Sequence, residues 1–435
     1  VWPILDLRSP AEQRRPWRSL PELTPLAYDR LRSSIRRGEG AHRERLALVT
    51  PWPPQRSGIA DYSRRLAGAL GRRLDVDVVV DGAVADFDAP PAGVRLLSAQ
   101  AYRAASWLRR HDHVLYCMGN SSHHEHVYEL LREFPGPVVL HDAQLTGFFG
   151  YYAGRERPED PLGRLVERVE ECYGALVPAQ ERTTAPLDAR RRLELGIFMT
   201  SEVLRHAEHV FVHSRFARKV VEREGRDLER RVGVSVMPFG MPDPEPDAVR
   251  SAAAQPPLII HVGVLTDSKD LEVLIEAFAL ISARAPGARL VIAGPADEAG
   301  LEHWRVLARE RAPHANIEVP GYLTPGRWWE LLRQADAAVQ LRAVSNGEAS
   351  GAVCDCLAAG VPTIVSYIGW MSELPHDAVV HVPAEAGPAL VAERVESVLV
   401  DTARRAALSR AALDHARACS FERVAADYLG ALALS

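Results

Sequence analysis

The chain has 435 residues, 47% hydrophobic and 25% charged, with a formal net charge of −5. That length suits two or three domains of about 150 residues each, and so ordinary a composition excludes a disordered or low-complexity chain. The slightly acidic balance gives no global reason to expect nucleic acid as a partner, and no run of about 18 apolar residues offers a membrane-spanning helix.

Residues 1–44 are rich in arginine and proline, with Trp2 and Trp17 interspersed. They read as an extension or surface helix, or as a basic, tryptophan-bearing segment making a peripheral contact with a membrane or partner. They hold no apolar signal region, so the expected compartment is the cytoplasm, with membrane association as the variant of that expectation. From Arg45 the pattern changes to short apolar runs alternating with amphipathic stretches. Ala47–Thr50, Val76–Val80, His113–Met118, Pro137–Asp142 and His209–Ser214 read as strands, and Tyr62–Leu70 and Val127–Phe134 as helices. Strands that are apolar throughout and alternate with helices imply parallel βαβ units covered on both faces. The proline-rich Met237–Asp247 is the best linker in the chain. The pattern then restarts: Leu258–Gly263, Leu290–Gly294, Ile317–Gly321, Ala337–Leu341, Pro362–Ser366 and Ala378–Val382 read as strands, and Leu271–Ile281 as a helix. The expected architecture is α/β: two Rossmann-like, doubly wound domains facing a cleft, over residues 45–245 and 246–419. In such sheets ligands bind beyond the carboxyl ends of the strands.

The chemistry-bearing segments follow strands. Pro51–Ser63 is a proline-rich loop in which Gly58 opens onto a helix whose free N–H groups suit an anion; a plain turn is the alternative. No G-x-G-x-x-G is present. Gly119–His126 and Val138–Phe149 place Asn120, His141 and Asp142 at strand ends, where imidazole and carboxylate can bind sugar hydroxyls. His123, His124 and His126 read individually as solvated surface; no HExxH-type zinc site is supported. Lys219 and Lys269 are the only lysines among 52 Lys plus Arg. A lysine that persists against such a bias is a stronger functional candidate than any one arginine. Lys269 starts a helix just beyond the strand ending in Gly263, where a cation can neutralise a leaving diphosphate. Leu341–Ser366 is the most specific segment. Its loop, through Gly347, Glu348, Ala349, Ser350 and Gly351, can hold phosphate by backbone N–H groups. Glu348 can bind sugar hydroxyls, and Asp355 a ribose diol. The five cysteines are odd in number and scattered, and read as reduced, mostly buried thiols. Neither Asp75-Val76-Asp77 nor Asp86-Phe87-Asp88 is placed to hold a metal beside a diphosphate, so no metal and no cofactor is expected.

These segments together resemble glycosyltransferase family 4, over most of Arg45–Ser435. The N-terminal loop PPQRSGIADYS, the pair Gly263 and Lys269, and GEASGAVCDCLAAGVP are similar to that family's donor-side motifs. With GNSSHHEH, VVLHD and GWMSELP, they look most like bacterial polysaccharide mannosyltransferases. The resemblance implies a GT-B fold, a nucleoside-diphosphate sugar donor, retention at the anomeric carbon and no metal. It implies catalytic roles for Glu348, Lys269 and His141, donor contacts from Gly58, Gly263, Lys269, Arg342, Gly347, Glu348, Ala349, Ser350, Gly351 and Asp355, and acceptor-side roles for Asn120, His124 and Asp142. The acceptor would be a glycan, a lipid-linked molecule or a small molecule. The last helix, within 420–435 and capped by Ser420, would cross back onto the first domain. The chain departs from the family at Val264, where an arginine is usual; Arg342 is the candidate replacement. Glu348 also lies one position nearer Asp355 than the E-x7-E motif requires, the strict position being Gly347. An epimerase or glycan phosphorylase on the same fold, and an inactive binding subunit, are the competing readings.

Overall fold

A computed structural model describes residues 43–55, 57–107, 110–174, 194–245, 249–250 and 256–433. The extension 1–42, Arg56 of the first loop and most of the linker's second half lie outside them. The first sheet has seven parallel strands: β1 (Arg45–Val49), β2 (Asp75–Val80), β3 (Val94–Ser98), β4 (His113–Met118), β5 (Gly136–Leu140), β6 (Ala207–Val212) and β7 (Gly233–Val236), in the order β3-β2-β1-β4-β5-β6-β7. The second has six: β8 (Leu258–Val262), β9 (Arg289–Ala293), β10 (Asn316–Gly321), β11 (Ala337–Gln340), β12 (Thr363–Ser366) and β13 (Val379–Val382), in the order β10-β9-β8-β11-β12-β13. Both orders reverse direction beside the first strand of the sheet, the doubly wound pattern whose switch point opens a crevice at the carboxyl ends.

The central strands are buried on both faces because their side chains alternate between two cores. Ala47 and Val49 join one cluster with Met118 and Phe149, whereas Leu46 and Leu48 join another with Tyr62, Leu66 and Trp52. Period-two alternation of apolar residues on both sides is what a helix-covered parallel strand requires. β3 and β7 were not anticipated. They are edge strands with mixed exposure, so VRLLS and GVSV carry no continuous apolar signal. The first helix starts at Gly58, ahead of the expected Tyr62, because the Ser57 side chain caps it by accepting from the Ile59 N–H.

The helix Phe421–Ala433 packs Phe421, Val424, Ala425, Tyr428 and Leu432 into the cluster of Leu46 and Leu48, on the first sheet. The chain therefore passes between the sheets twice, and the two crossings touch. The Met241 N–H donates to the Cys419 carbonyl at 2.9 Å, and Met241 bridges Ser420 as in a parallel ladder. All five cysteines are free. Asp77 sits in β2, paired with Arg95 and His111, and the Asp88 carbonyl accepts from the Trp52 indole. Among the described residues no helix is long and apolar enough to cross a membrane.

Candidate active site

On the second sheet the site begins where β8 ends. Gly263 (φ +129°) and Gly294 (φ +155°), at the ends of neighbouring strands, approach so closely that a side chain on Gly294 would strike the Gly263 carbonyl. The loop after Gly263 leaves Val264 exposed, at 55%. It then brings Lys269 back beside Arg342: the Ala343 N–H donates to the Ser268 carbonyl at 3.1 Å, tying the two loops together. Lys269 is half-buried. Burial, and secondarily the Arg342 charge, pull its pKa down to about 7, with Glu348 opposing.

The loop after β11 is organised around Glu348. One carboxylate oxygen pairs with the Arg342 guanidinium. The other accepts from the Asn346 N–H at 2.6 Å and the Ser345 hydroxyl at 3.3 Å. The Arg342 backbone is fixed in turn by its N–H donating to the Ser366 hydroxyl at 2.9 Å. Ser350 caps the helix Gly351–Ala358, its side chain accepting from the Val353 N–H. Gly351 is exposed, and a Cβ there would meet nothing within 4 Å, so the helix N-terminus faces open space. Asp355, one turn on, is engaged: the Trp328 indole donates to it at 3.0 Å, and Arg65 of the first domain reaches it at 3.4 Å. The diol-gripping carboxylate expected there is thus already bound by protein groups.

The first sheet supplies the opposite wall. The Asn120 N–H donates to Asp142 at 2.8 Å, while the Asn120 side chain accepts from the Phe148 N–H at 2.9 Å and fixes the following helix. Burial, and then the negative Glu348 across the gap, push the Asp142 pKa up to about 7. Two expectations fail here. His124 and His126 are not solvated surface; both are buried. The His124 Nδ1–H donates to the Ser121 carbonyl, and the His126 Nε2–H donates to that of Thr50. His141 is buried too, edge-on to Tyr62 at 5.0 Å and 5.2 Å from His213. Burial keeps the rings of His124 and His141 neutral, and their Nε2 atoms have no hydrogen-bond partner.

The walls meet directly. The Gln144 N–H donates to the Asn346 carbonyl at 2.9 Å, and Gly347 (φ +80°) lies so close that a Cβ there would stand 2.5 Å from that of Ala143. Any side chain at 347 would push the domains apart, a physical reason for glycine where the strict motif spacing calls for glutamate. Glu373 forms a second contact, accepting from the Arg215 and Phe216 N–H groups at 2.9 Å each and so capping a helix of the first domain. Lys269, Arg342, Gly347, Glu348 and Asp142 are thus brought together. Gly58 lies at the start of its helix beyond the first loop, and His141 in the aromatic cluster. Arg65, Trp328, Ser345 and Asn346 had not been singled out. The adjacent turn-forming Ser345 and Asn346 were the available signal; Arg65 carried none. Among the described residues no three His, Cys, Asp or Glu side chains converge as metal ligands.

Two Rossmann-like domains meeting at the carboxyl ends of their strands form the GT-B fold. The family profile "Glycosyl transferases group 1" matches residues 245–415, which contain the whole second sheet, and the chain is a glycosyltransferase. Among solved structures it is similar to sucrose-phosphate synthase from Thermosynechococcus elongatus, at TM-score 0.63 and 17% identity over 90% of this chain and 100% of that one. It is similar to Anabaena HepE in complex with UDP and glucose, at TM-score 0.59 and 13% identity over 91% and 100%. WaaG, a glycosyltransferase involved in lipopolysaccharide biosynthesis, matches at TM-score 0.57 and 13% identity over 89% and 99%. At these identities the likeness carries the fold alone. No curated protein matches the chain.

Proposed function

We propose that this enzyme is a retaining glycosyltransferase of family 4 that moves a sugar from a nucleoside diphosphate to an acceptor hydroxyl, without a metal or other cofactor. The observation that carries the reading is the pairing of walls. Lys269, Arg342 and an open helix N-terminus stand on one side, and Asp142 with the Asn120 loop stands on the other. A diphosphate leaving C1 gains negative charge, which two cations and the N–H groups of Gly351 and Ala352 stabilise. Glu348 receives sugar hydroxyls and stabilises positive charge at the anomeric carbon, while its ion pair with Arg342 holds it in place. Asp142 and Asn120 orient the acceptor. The departing diphosphate takes the acceptor's proton on the face it leaves, which gives retention. UDP complexes of HepE support a nucleotide-sugar donor. The acceptor is a glycan, lipid-linked or small molecule of polysaccharide, glycoconjugate or secondary-metabolite synthesis, polysaccharide mannosyl transfer being the nearest likeness. The working compartment is the cytoplasm, with residues 1–44 as a candidate membrane contact.

A thermal-shift screen against UDP-, GDP-, ADP- and TDP-sugars tests the reading. A donor at 100 times its Kd is expected to stabilise by about 2.7 kcal/mol. The matched donor and acceptor should yield a product of unchanged anomeric configuration, with or without EDTA. Absence of binding by all four classes, or an inverted product, overturns it.

A further inference from the structure

Two of the contacts between the domains lead back to one phenol. At the first, the Gln144 N–H donates to the Asn346 carbonyl. Gln144 belongs to the segment 143–145, which directly follows Asp142. The segment is buried and lies outside any strand or helix, so its backbone must find partners elsewhere. Three bonds tie it to the turn 197–200. The Leu145 N–H donates to the Phe198 carbonyl at 2.7 Å, the Gln144 side-chain amide to the Ile197 carbonyl at 3.4 Å, and the Thr200 hydroxyl to the Ala143 carbonyl.

That turn is held in shape by Tyr173, the last residue of the helix Pro161–Tyr173. Met199 sits at φ +61°, in the left-handed region that a residue with a side chain occupies at a cost. Such turns make successive N–H groups converge. Here the N–H groups of Phe198 and Met199 both donate to the Tyr173 hydroxyl, at 3.0 and 2.6 Å. The hydroxyl gives its own proton to Glu224 at 2.6 Å, and Glu224 also accepts from the Ser201 N–H at 3.4 Å. Burial, and then the negative Glu224, raise the Tyr173 pKa, so the phenol keeps that proton. Glu224 leads to the second contact. It ends the helix Arg215–Glu224, whose first N–H groups, on Arg215 and Phe216, donate to Glu373 of the second domain.

We propose that Tyr173 is a positioning residue for the acceptor wall: its hydroxyl ties the 197–200 turn to the end of the Arg215–Glu224 helix, and so fixes in one register two places where the first domain docks on the second. Asp142 takes its position from this tie through the segment that follows it. The inference rests on the reading of Asp142 as an acceptor-side group opposite Lys269, Arg342 and Glu348. The donor loop is held by bonds of its own, among Arg342, Ser345, Asn346, Glu348 and Ser366. Losing the hydroxyl strands two buried N–H groups and a buried carboxylate. The turn then relaxes, 143–145 loosens, and Asp142 draws back from Glu348.

Tyr173→Phe tests this in the full-length chain by hydrogen exchange resolved to single amides. Exchange at Gln144 and Leu145 should quicken about ten-fold or more. The His141 amide, bonded to the Met118 carbonyl, and the Ala343 amide, bonded to that of Ser268, should keep their wild-type rates. A ¹³C carboxyl titration gives a reading that loss of stability alone does not move. Burial first, and then Glu348, hold the Asp142 pKa up at about 7, with the Asn120 N–H and Arg342 opposing. Its midpoint, assigned by the signal missing in Asp142→Asn, should fall by about one pH unit or more. Glu224→Gln keeps an oxygen for the phenol proton and should leave both readings at their wild-type values. Unchanged exchange at Gln144 and Leu145, a rise shared equally by His141, or a fixed Asp142 midpoint overturns the role. Should Tyr173→Phe not fold, Thr200→Val decides: it lacks only the hydroxyl donor to Ala143, and should quicken the same two amides and lower the same midpoint, constancy overturning the role. Inorganic pyrophosphate separates this from the donor reading. Its affinity should stay within about two-fold in Tyr173→Phe and drop about ten-fold in Lys269→Ala. A comparable drop in Tyr173→Phe overturns the proposal; wild-type affinity in Lys269→Ala overturns the donor reading, while exchange and titration still decide Tyr173.

Discussion

On the C-terminal wall of the cleft, Glu348 is gripped by a guanidinium, a hydroxyl and a backbone N–H, all from its own loop. On the N-terminal wall, Asp142 receives one backbone N–H, and the buried rings near it keep free acceptor nitrogens. The first wall is cationic and wired within itself, which suits an anion of fixed geometry. The second is neutral and rich in acceptors, which suits hydroxyls. A pre-wired wall loses little freedom when its ligand arrives, whereas a loosely satisfied one adapts to its partner.

The largest expected break in that contrast is Lys269→Ala. It removes charge from the pre-wired wall, and kcat should fall by about 10²–10³ with the fold intact, as circular dichroism and steady-state kinetics on the matched donor would show. Near wild-type turnover would return Lys269 to the surface. Glu348→Gln comes next. It keeps the shape and loses the charge, so kcat should fall roughly ten-fold or more while donor Kd changes by no more than a few-fold, measured by calorimetry. Loss of affinity with kcat preserved would make Glu348 a binding group only.

The smallest effect sharpens the comparison through pH. Asp142 has a folded pKa raised from 3.8 to about 7, so the native state holds its proton more tightly. Its contribution to stability is full below about 4 and is lost as pH rises to about 7, by at most about 4 kcal/mol. Lys269 runs the other way: its folded pKa is lowered from 10.5 to about 7, so its contribution is full above about 10.5 and is lost as pH falls toward 7. Asp142→Asn should flatten the denaturation profile only below neutrality, and Lys269→Met only above it. A flattening on the wrong side would reverse the assignment.

Much of this was legible because the interior strands carry unbroken apolar runs and the linker its prolines. The edge strands of the first sheet were not, since VRLLS and GVSV are half exposed. The loops bearing Lys269 and Glu348 could be placed because they follow strand ends. What lay beyond reach were partnerships across the chain. Arg65 meets Asp355 from a helix on the other sheet and looks like any other arginine in a chain full of them. His124 and His126 read as wet because their carbonyl partners, on Ser121 and Thr50, leave no mark in the letters around them.

The helix Phe421–Ala433 bears on how the molecule is made. A chain leaving the ribosome presents β1 first, and the usual expectation is that the leading domain closes while the rest is being synthesised. Here one face of β1, through Leu46 and Leu48, is roofed in part by Phe421, Val424 and Tyr428, which are synthesised after the whole second sheet. The leading domain must wait, apolar face uncovered, until the trailing one has emerged. A nascent chain halted just before Phe421 should therefore leave its first-made half the more vulnerable to protease, and its second sheet the better protected.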